Sequence, residues 1–295
     1  MYTLVGLLFI AGLLVRSIFP NVFTVVKSLN QIIVFSSFPA TVFLSMIVVD
    51  FSAFSGFSVL AVWVVQIVCA LLVLICAKLL HWPKPVLGAF LLVCVLGNTS
   101  FLGFPLVTAF LGKTALPYAV FYDQFGSFLA LSIGLPIIIA LFSGQTSPHW
   151  LVLISRVLRF PPFIALLLGL LCHGLRLPVW LNTALEFIAL TMAPLAALVI
   201  GLQFKLDFTD RNMLFTGLCI KMIIPPILVW ILAQMLMPNV IEYKATLLQS
   251  AMPPMMTASI LVMAAGLATR TVAALLSMGM LFSLLTLPLI NYFFI

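Results

Sequence analysis

The chain has 295 residues, 65% of them hydrophobic and only 6% charged, with a mean hydropathy of +1.35. Those values exclude a water-soluble globular protein and leave no room for a soluble domain; they are the composition of a polytopic membrane protein embedded in a lipid bilayer. The net charge of +7 is scattered, with no basic run long enough to follow a phosphate backbone, so no nucleic-acid partner is expected.

With about 20 apolar residues needed per membrane-spanning helix, the sequence divides into ten predicted spans: 2–15, 29–48, 57–80, 86–111, 117–142, 162–176, 179–203, 212–235, 245–267 and 271–293. The first has no basic stretch before it, and Arg16 follows the apolar run, so it reads as a retained helix rather than a signal peptide. Taking the loops alternately, Arg16, Lys27, Lys78, Lys84, Arg156, Arg159, Lys205, Arg211 and Arg270 fall on one side and Lys113, Arg176 and Lys244 on the other, nine against three. Basic loops stay in the cytoplasm, so the expectation is a multi-pass protein of the cell (inner) membrane with both termini outside the cytoplasm.

In chain order, the second span carries Pro39 at mid-depth, where it kinks the helix and frees a carbonyl. The third is plain except for Gln66. The fourth is interrupted at its centre by Gly97-Asn98-Thr99-Ser100-Phe101-Leu102-Gly103-Phe104-Pro105, two strong backbone punctuators beside an amide and hydroxyls. The fifth begins at Pro117 and contains Tyr122-Asp123-Gln124. A longer connection follows, its Trp150-to-Leu158 part reading as a short interfacial helix with Arg156 and Arg159. Pro161-Pro162 opens the second half, which has Pro194 in its second span, Lys221 about ten residues into its third, and Ser250-Ala251-Met252-Pro253-Pro254 breaking its fourth.

One offset of 155 residues takes Pro39 to Pro194, Gln66 to Lys221 and Asn98 to Pro253. Five spans is an odd number, so two such repeats enter the membrane from opposite sides. The expected fold class is therefore all-α, ten transmembrane helices in two inverted five-helix repeats: 1–143, a connecting loop and interfacial helix over 144–161, and 162–295. Paired, proline-broken spans in the two halves point to a secondary transporter with its substrate where the breaks meet. Each break exposes backbone N–H groups at a half-helix N-terminus, which suits a small organic anion. Asn98, Thr99 and Ser250 can donate to a carboxylate, with Pro105, Pro253 and Pro254 shaping the site.

Asp123 and Lys221 are the coupling or counter-charge candidates, since with Glu186 they are the charged residues away from the ends of the predicted spans. Transport driven by the membrane potential is the favoured reading; a proton carried by Asp123 is the alternative, and sodium coupling stays open. Gln66 reads as a packing or supporting polar residue. Cys69, Cys76, Cys94, Cys172 and Cys219 lie in apolar surroundings without CxxC spacing, and His81, His149 and His173 fall near span ends, so neither a metal nor a cofactor is expected. No HExxH, Walker or paired-aspartate motif is present, which disfavours an intramembrane enzyme or primary pump. A homodimer stays open.

The residues resemble the auxin efflux carrier family, which includes plant auxin exporters and bacterial carriers of malate, malonate and similar acids. The resemblance rests on Leu29-Asn30 with Phe38-Pro39, GNTSFLGFPLV (97–107), YAVFYDQFGSF (118–128), APLAALVIGL (193–202), KMIIP (221–225), SAMPP (250–254) and SLLTLPL in the tenth span. It implies a fold similar to bile-acid/sodium symporters, with the fourth and ninth helices unwound and crossed at the substrate. Asn98 and Pro105 would then lie on one side of the crossover, Pro253 and Pro254 on the other, with Phe101, Met255 and Met256 in the pocket. Family members often carry an asparagine and an acid after the ninth-span motif, where this chain has Thr257 and Met263, and the long loop of plant exporters is absent, as in a bacterial-type member.

Overall fold

The computed structural model describes residues 2–19, 22–52, 54–143, 149–204 and 211–294; Lys205 and residues 144–148 of the expected connection lie outside them. The described residues are helical throughout, with no strand beyond one isolated bridge. The helices are α1 (Tyr2–Ile18), α2 (Thr24–Ile47), α3 (Phe57–Leu79), α4 (Lys84–Val93), α5 (Thr99–Leu111), α6 (Lys113–Ser143) and α7 (Trp150–Leu158). They continue with α8 (Pro161–Leu171), α9 (Val179–Gln203), α10 (Arg211–Leu236), α11 (Val240–Ser250), α12 (Met256–Ala264) and α13 (Thr269–Phe294).

Among the described residues six helices, α2, α3, α6, α9, α10 and α13, are long and apolar enough to cross a membrane, and α7 with α8, bent by 60°, would make a seventh. The chain is thus a multi-pass membrane protein. The fourth and ninth predicted spans are each two short helices with a gap between, α4 and α5, then α11 and α12. The ninth segment begins at Val240 rather than 245, which corrects the sequence reading and brings Glu242 inside it.

Three of the helix prolines are accommodated in one recurring way. A proline clashes with the carbonyl four residues back and offers it no donor. Here the turn just before Pro39, Pro105 and Pro225 is widened, at Ile33–Ser37, Thr99–Gly103 and Cys219–Ile223. The backbone N–H of Phe38 reaches Ile33 O, that of Gly103 reaches Asn98 O and that of Ile224 reaches Cys219 O, each five residues back. The wide turn keeps carbonyls bonded while the helix continues. A fourth wide turn, Asp123–Phe128, has no proline directly after it and carries the buried Asp123.

Packing divides the buried side chains into two cores. One gathers α2, α8 and α9 around Ile33, Met46, Leu166 and Leu202; the other gathers α3, α4 and α10 around Cys69, Phe90, Cys94 and Val229. Within the first, α1 meets the second half of α9 so closely that a Cβ on Gly12 would lie 2.6 Å from Leu198 O, and one on Gly201 would overlap Phe9 O. Small residues allow such backbone contact where lipid supplies no hydrophobic driving force. The breaks lie between the two cores: Phe101 and Met252 belong to the first, Leu96 and Met255 to the second.

Candidate functional site

Breaking a helix in a bilayer leaves backbone groups without partners, at several kcal/mol for each one unsatisfied. The two breaks supply those partners to each other. Gly97 and Pro254 form an antiparallel bridge, in which Asn98 N donates to Pro253 O at 2.8 Å and Met255 N to Leu96 O at 3.0 Å. Pro253 and Pro254 have no N–H of their own, which stops the helix after Ser250 and leaves extended backbone that can pair across. From this bridge α5 leaves at Thr99 and α12 at Met256, so the N-terminal turns of both half-helices face the crossing. Their first N–H groups lie beyond the reach of intrahelical bonding and carry the positive end of the helix dipole.

Side chains around the bridge are buried and polar. Asn98 is 1% exposed, and its Nδ2 has no hydrogen-bond partner among the described residues. Thr99 donates from Oγ1 to Asp123 Oδ1 at 2.5 Å, and Gln124 Nε2 donates to Asp123 Oδ2 at 2.7 Å. Ser250 donates back to Leu247 O at 2.7 Å, which leaves its hydroxyl oxygen only as an acceptor. Pro105 stands apart from the bridge, in the second turn of α5, lining cavities of about 270 and 240 Å³. Of the expected site residues, the structure therefore brings Asn98, Thr99, Ser250, Pro253 and Pro254 together with Asp123, and sets Pro105 to one side.

Lys221 reaches the crossing from behind. It is 2% exposed, in the wide turn of α10, and its Nζ would lie 3.1 Å from a Cβ on Gly97. It makes no ion pair among the described residues; Asp123 is held by Thr99 and Gln124. Glu186, the other acid of the predicted spans, is half exposed and 3.9 Å from Lys113, at the mouth of the 270 Å³ cavity. Gln66 is buried, with Oε1 unpartnered among the described residues.

A larger cavity of about 750 Å³ is lined by Arg16 and Lys27, by the amides Asn30, Gln31 and Gln203, and by Phe101 and Thr257 in the first turns of α5 and α12. Met255 and Met256, expected in the pocket, are buried and do not line this cavity.

Two buried residues were not singled out by the sequence. Gln249 donates from Nε2 to Thr99 O at 3.1 Å and to Ala119 O at 3.4 Å, tying α11 to α5 and α6, and its Oε1 lies where a Cβ on Gly103 would be. Glu242, fully buried, accepts from the backbone N–H and hydroxyl of Ser55 and of Ser58, capping the start of α3 from another helix. An amide placed directly before the SAMPP break is the signal that could have found Gln249.

The sequence profile described as Membrane transport protein matches residues 18–291. The chain is 28% identical over 276 residues to an uncharacterized transporter of Methanocaldococcus jannaschii, covering 89% of this chain and 88% of that one. It is 24% identical over 270 residues to an uncharacterized transporter of Methanothermobacter thermautotrophicus, covering 89% and 87%. A match that runs through both breaks, the wide turns and the bridge between them takes in the whole crossing, and by it the chain belongs to the auxin efflux carrier family of membrane transport proteins.

Proposed function

We propose that this membrane transport protein is a secondary carrier of small organic anions, whose carboxylate is held at the crossing of the two broken helices, and that it is not an enzyme. The observation that carries the reading is the convergence of the N-terminal turns of α5 and α12 on one bridge. Two helix N-termini favour negative charge at that point. The buried ammonium of Lys221 behind Gly97 adds to the same field, and Asn98 Nδ2 is a donor left for a ligand.

The inverted-repeat fold is part of the proposal, and the element bounds support it. Shifted by 155 residues, Tyr2–Ile18 covers 157–173, against Pro161–Leu171; Phe57–Leu79 covers 212–234, against Arg211–Leu236; Lys84–Val93 covers 239–248, against Val240–Ser250. Two close helix contacts follow nearly the same relation: Gly12 packs on Gly201, and Met46, which the offset carries to position 201, packs on Gly169, two residues from the position to which it carries Gly12. With the short α1, the α7 and α8 pair and the two broken segments added to the longer helices, ten crossings result. By the loop charges, the face bearing Arg16 and Lys27 is cytoplasmic, in a cell membrane with both termini outside.

Purified protein in vesicles tests this directly. Carboxylate flux without ATP is expected, with Asn98→Ala reducing it strongly while the protein still inserts; full flux in that variant would remove the site assignment. For coupling, the favoured reading is transport driven by the membrane potential, at about 2.3 kcal/mol per charge per 100 mV. A second reading, proton coupling, is favoured by the buried Asp123 bonded to Thr99 at the crossing. Imposing the potential and the pH gradient separately discriminates: flux that follows only the pH gradient, and loses that dependence in Asp123→Asn, selects the second.

A further inference from the structure

We infer that the ion pair between Lys113 and Glu186 is a latch, which holds narrow a cavity on one face of the protein that is the counterpart of the wide cavity on the other. The inference rests on the inverted repeat proposed above and not on the chemistry of the cargo. Both cavities run along α2 and α9, at opposite ends of the two helices. The 750 Å³ cavity is lined by Lys27 and Gln31 near the start of α2 and by Leu202 and Gln203 at the end of α9. The 270 Å³ cavity is lined by Ser45 and Ile47 at the end of α2 and by Asn182 and Glu186 near the start of α9. Opposite α2 and α9 stands a broken segment in each case, α12 through Thr257 and Ile260 in the wide cavity and α5 through Pro105 and Thr108 in the narrow one.

The offset of 155 residues carries one lining onto the other. Lys27, Gln31, Val34 and Phe35 go forward to positions 182, 186, 189 and 190, and Leu202, Gln203, Ile260 and Met263 go back to 47, 48, 105 and 108; all of these positions line the narrow cavity. Unrelated cavities would not coincide at so many places. An inverted repeat turns one such cavity into the other, opening to the opposite face. What differs between them is their width and the charges at the mouth. Lys113 Nζ lies 3.9 Å from Glu186 Oε1 across the mouth of the narrow cavity. Lys113 opens α6 and is joined through Gly112 to the end of α5, while Glu186 is on α9, so the pair ties a broken segment to a helix it would have to leave. The wide cavity lacks that tie: the offset takes Glu186 to Gln31 and Lys113 to Ala268, which cannot attract by charge. Side chains 75% and 48% exposed attract only weakly, enough to bias two arrangements of similar energy and too little to hold the fold together.

The test is thiol labelling of the full-length protein in sealed vesicles of one orientation, with a charged, membrane-impermeant methanethiosulfonate added to either face and no cargo present. Ser45→Cys reports on the narrow cavity, and labelling of the chain without that substitution, from its five native cysteines, is subtracted. Adding Glu186→Gln should speed labelling from the face opposite Arg16 and Lys27 by about two- to fivefold. Glu186→Lys, which sets two cations against each other, should speed it further, and Lys113→Glu combined with Glu186→Lys should restore the original rate. Ile260→Trp then tests whether the cavities are counterparts. The wide cavity has room for the ring, but a narrowed one does not, so this wedge should return the fast labelling of the Glu186→Lys chain to the slow rate. A Glu186→Lys chain that melts with wild type and labels no faster would overturn the latch. Fast labelling that persists beside Ile260→Trp would show a local lid and overturn the pairing of the two cavities. Ser45→Cys reached only from the face of Arg16 and Lys27 would overturn the inverted repeat beneath the inference. No acid takes part in these measurements, so the carboxylate reading stands or falls separately, on flux and its loss in Asn98→Ala.

Discussion

Replacing Glu242 with alanine removes the acceptor of four hydrogen bonds in a fully buried position, from Ser55 N at 2.9 Å, Ser55 Oγ at 2.7 Å, Ser58 N at 2.9 Å and Ser58 Oγ at 3.1 Å. Both hydroxyls can turn toward other acceptors; the two backbone N–H groups at the start of α3 cannot. Leaving a buried donor unsatisfied costs about 1–3 kcal/mol, so the pair sets the loss at roughly 3–5 kcal/mol once the emptied space is included. Glu242→Gln keeps the shape and one accepting oxygen but turns an NH₂ toward a donor, for a loss of about 1–3 kcal/mol. Thermal unfolding of the detergent-solubilised variants measures the ranking. At about 2–4 °C per kcal/mol the alanine variant should melt roughly 6–20 °C below wild type, with the glutamine variant between them. If both melt within about a degree of wild type, the capping role assigned to Glu242 is wrong.

Three further outcomes follow from contacts already described. Gly103→Ala drives a methyl group into Gln249 Oε1, so vesicle transport should fall steeply, and Gln249→Ala in the same chain should recover part of it by making room. Gly201→Leu forces side-chain atoms into the backbone of α1 at Phe9 and Gly12; the melting temperature should drop by the equivalent of roughly 1–3 kcal/mol or more, a loss that Gly201→Ala shows in weaker form. Lys113→Ala and Glu186→Ala break a pair whose side chains are 75% and 48% exposed. Their melting temperatures should therefore stay within what about 0.5 kcal/mol allows, and a larger change would mean that the pair is shielded from water.

What could be read from the sequence was whatever contrasts with an apolar background. Gly97, Asn98, Pro253 and Pro254 interrupt runs that are otherwise uniform, and Lys221 and Asp123 are charges where lipid-facing helices have none. Partners were harder. Whether Asp123 meets Lys221 or Thr99 depends on which turn of which helix faces it, and hydropathy carries no such information. Val240-Ile241-Glu242-Tyr243-Lys244 reads as a loop edge because an acid and a lysine lower its hydropathy, yet α11 starts there, and Glu242 is buried because Ser55 and Ser58 come to it from 184 to 187 residues away. The widened turns were hidden for another reason. Pro39, Pro105 and Pro225 announce a disturbed helix, but whether it kinks, breaks or widens is decided by the neighbours that hold it straight.

The bridge between Gly97 and Pro254 is a ladder of two rungs, Asn98 to Pro253 and Met255 to Leu96. A ladder this short has no register to slip into: moving one broken segment past the other by a single residue would part both rungs together and bring a proline nitrogen, with no proton, to face a carbonyl. Four half-helices are in this way riveted at a single joint. Any displacement of the joint along the membrane normal carries α4, α5, α11 and α12 as one piece, so the shear is taken up where these four pack against the remaining helices.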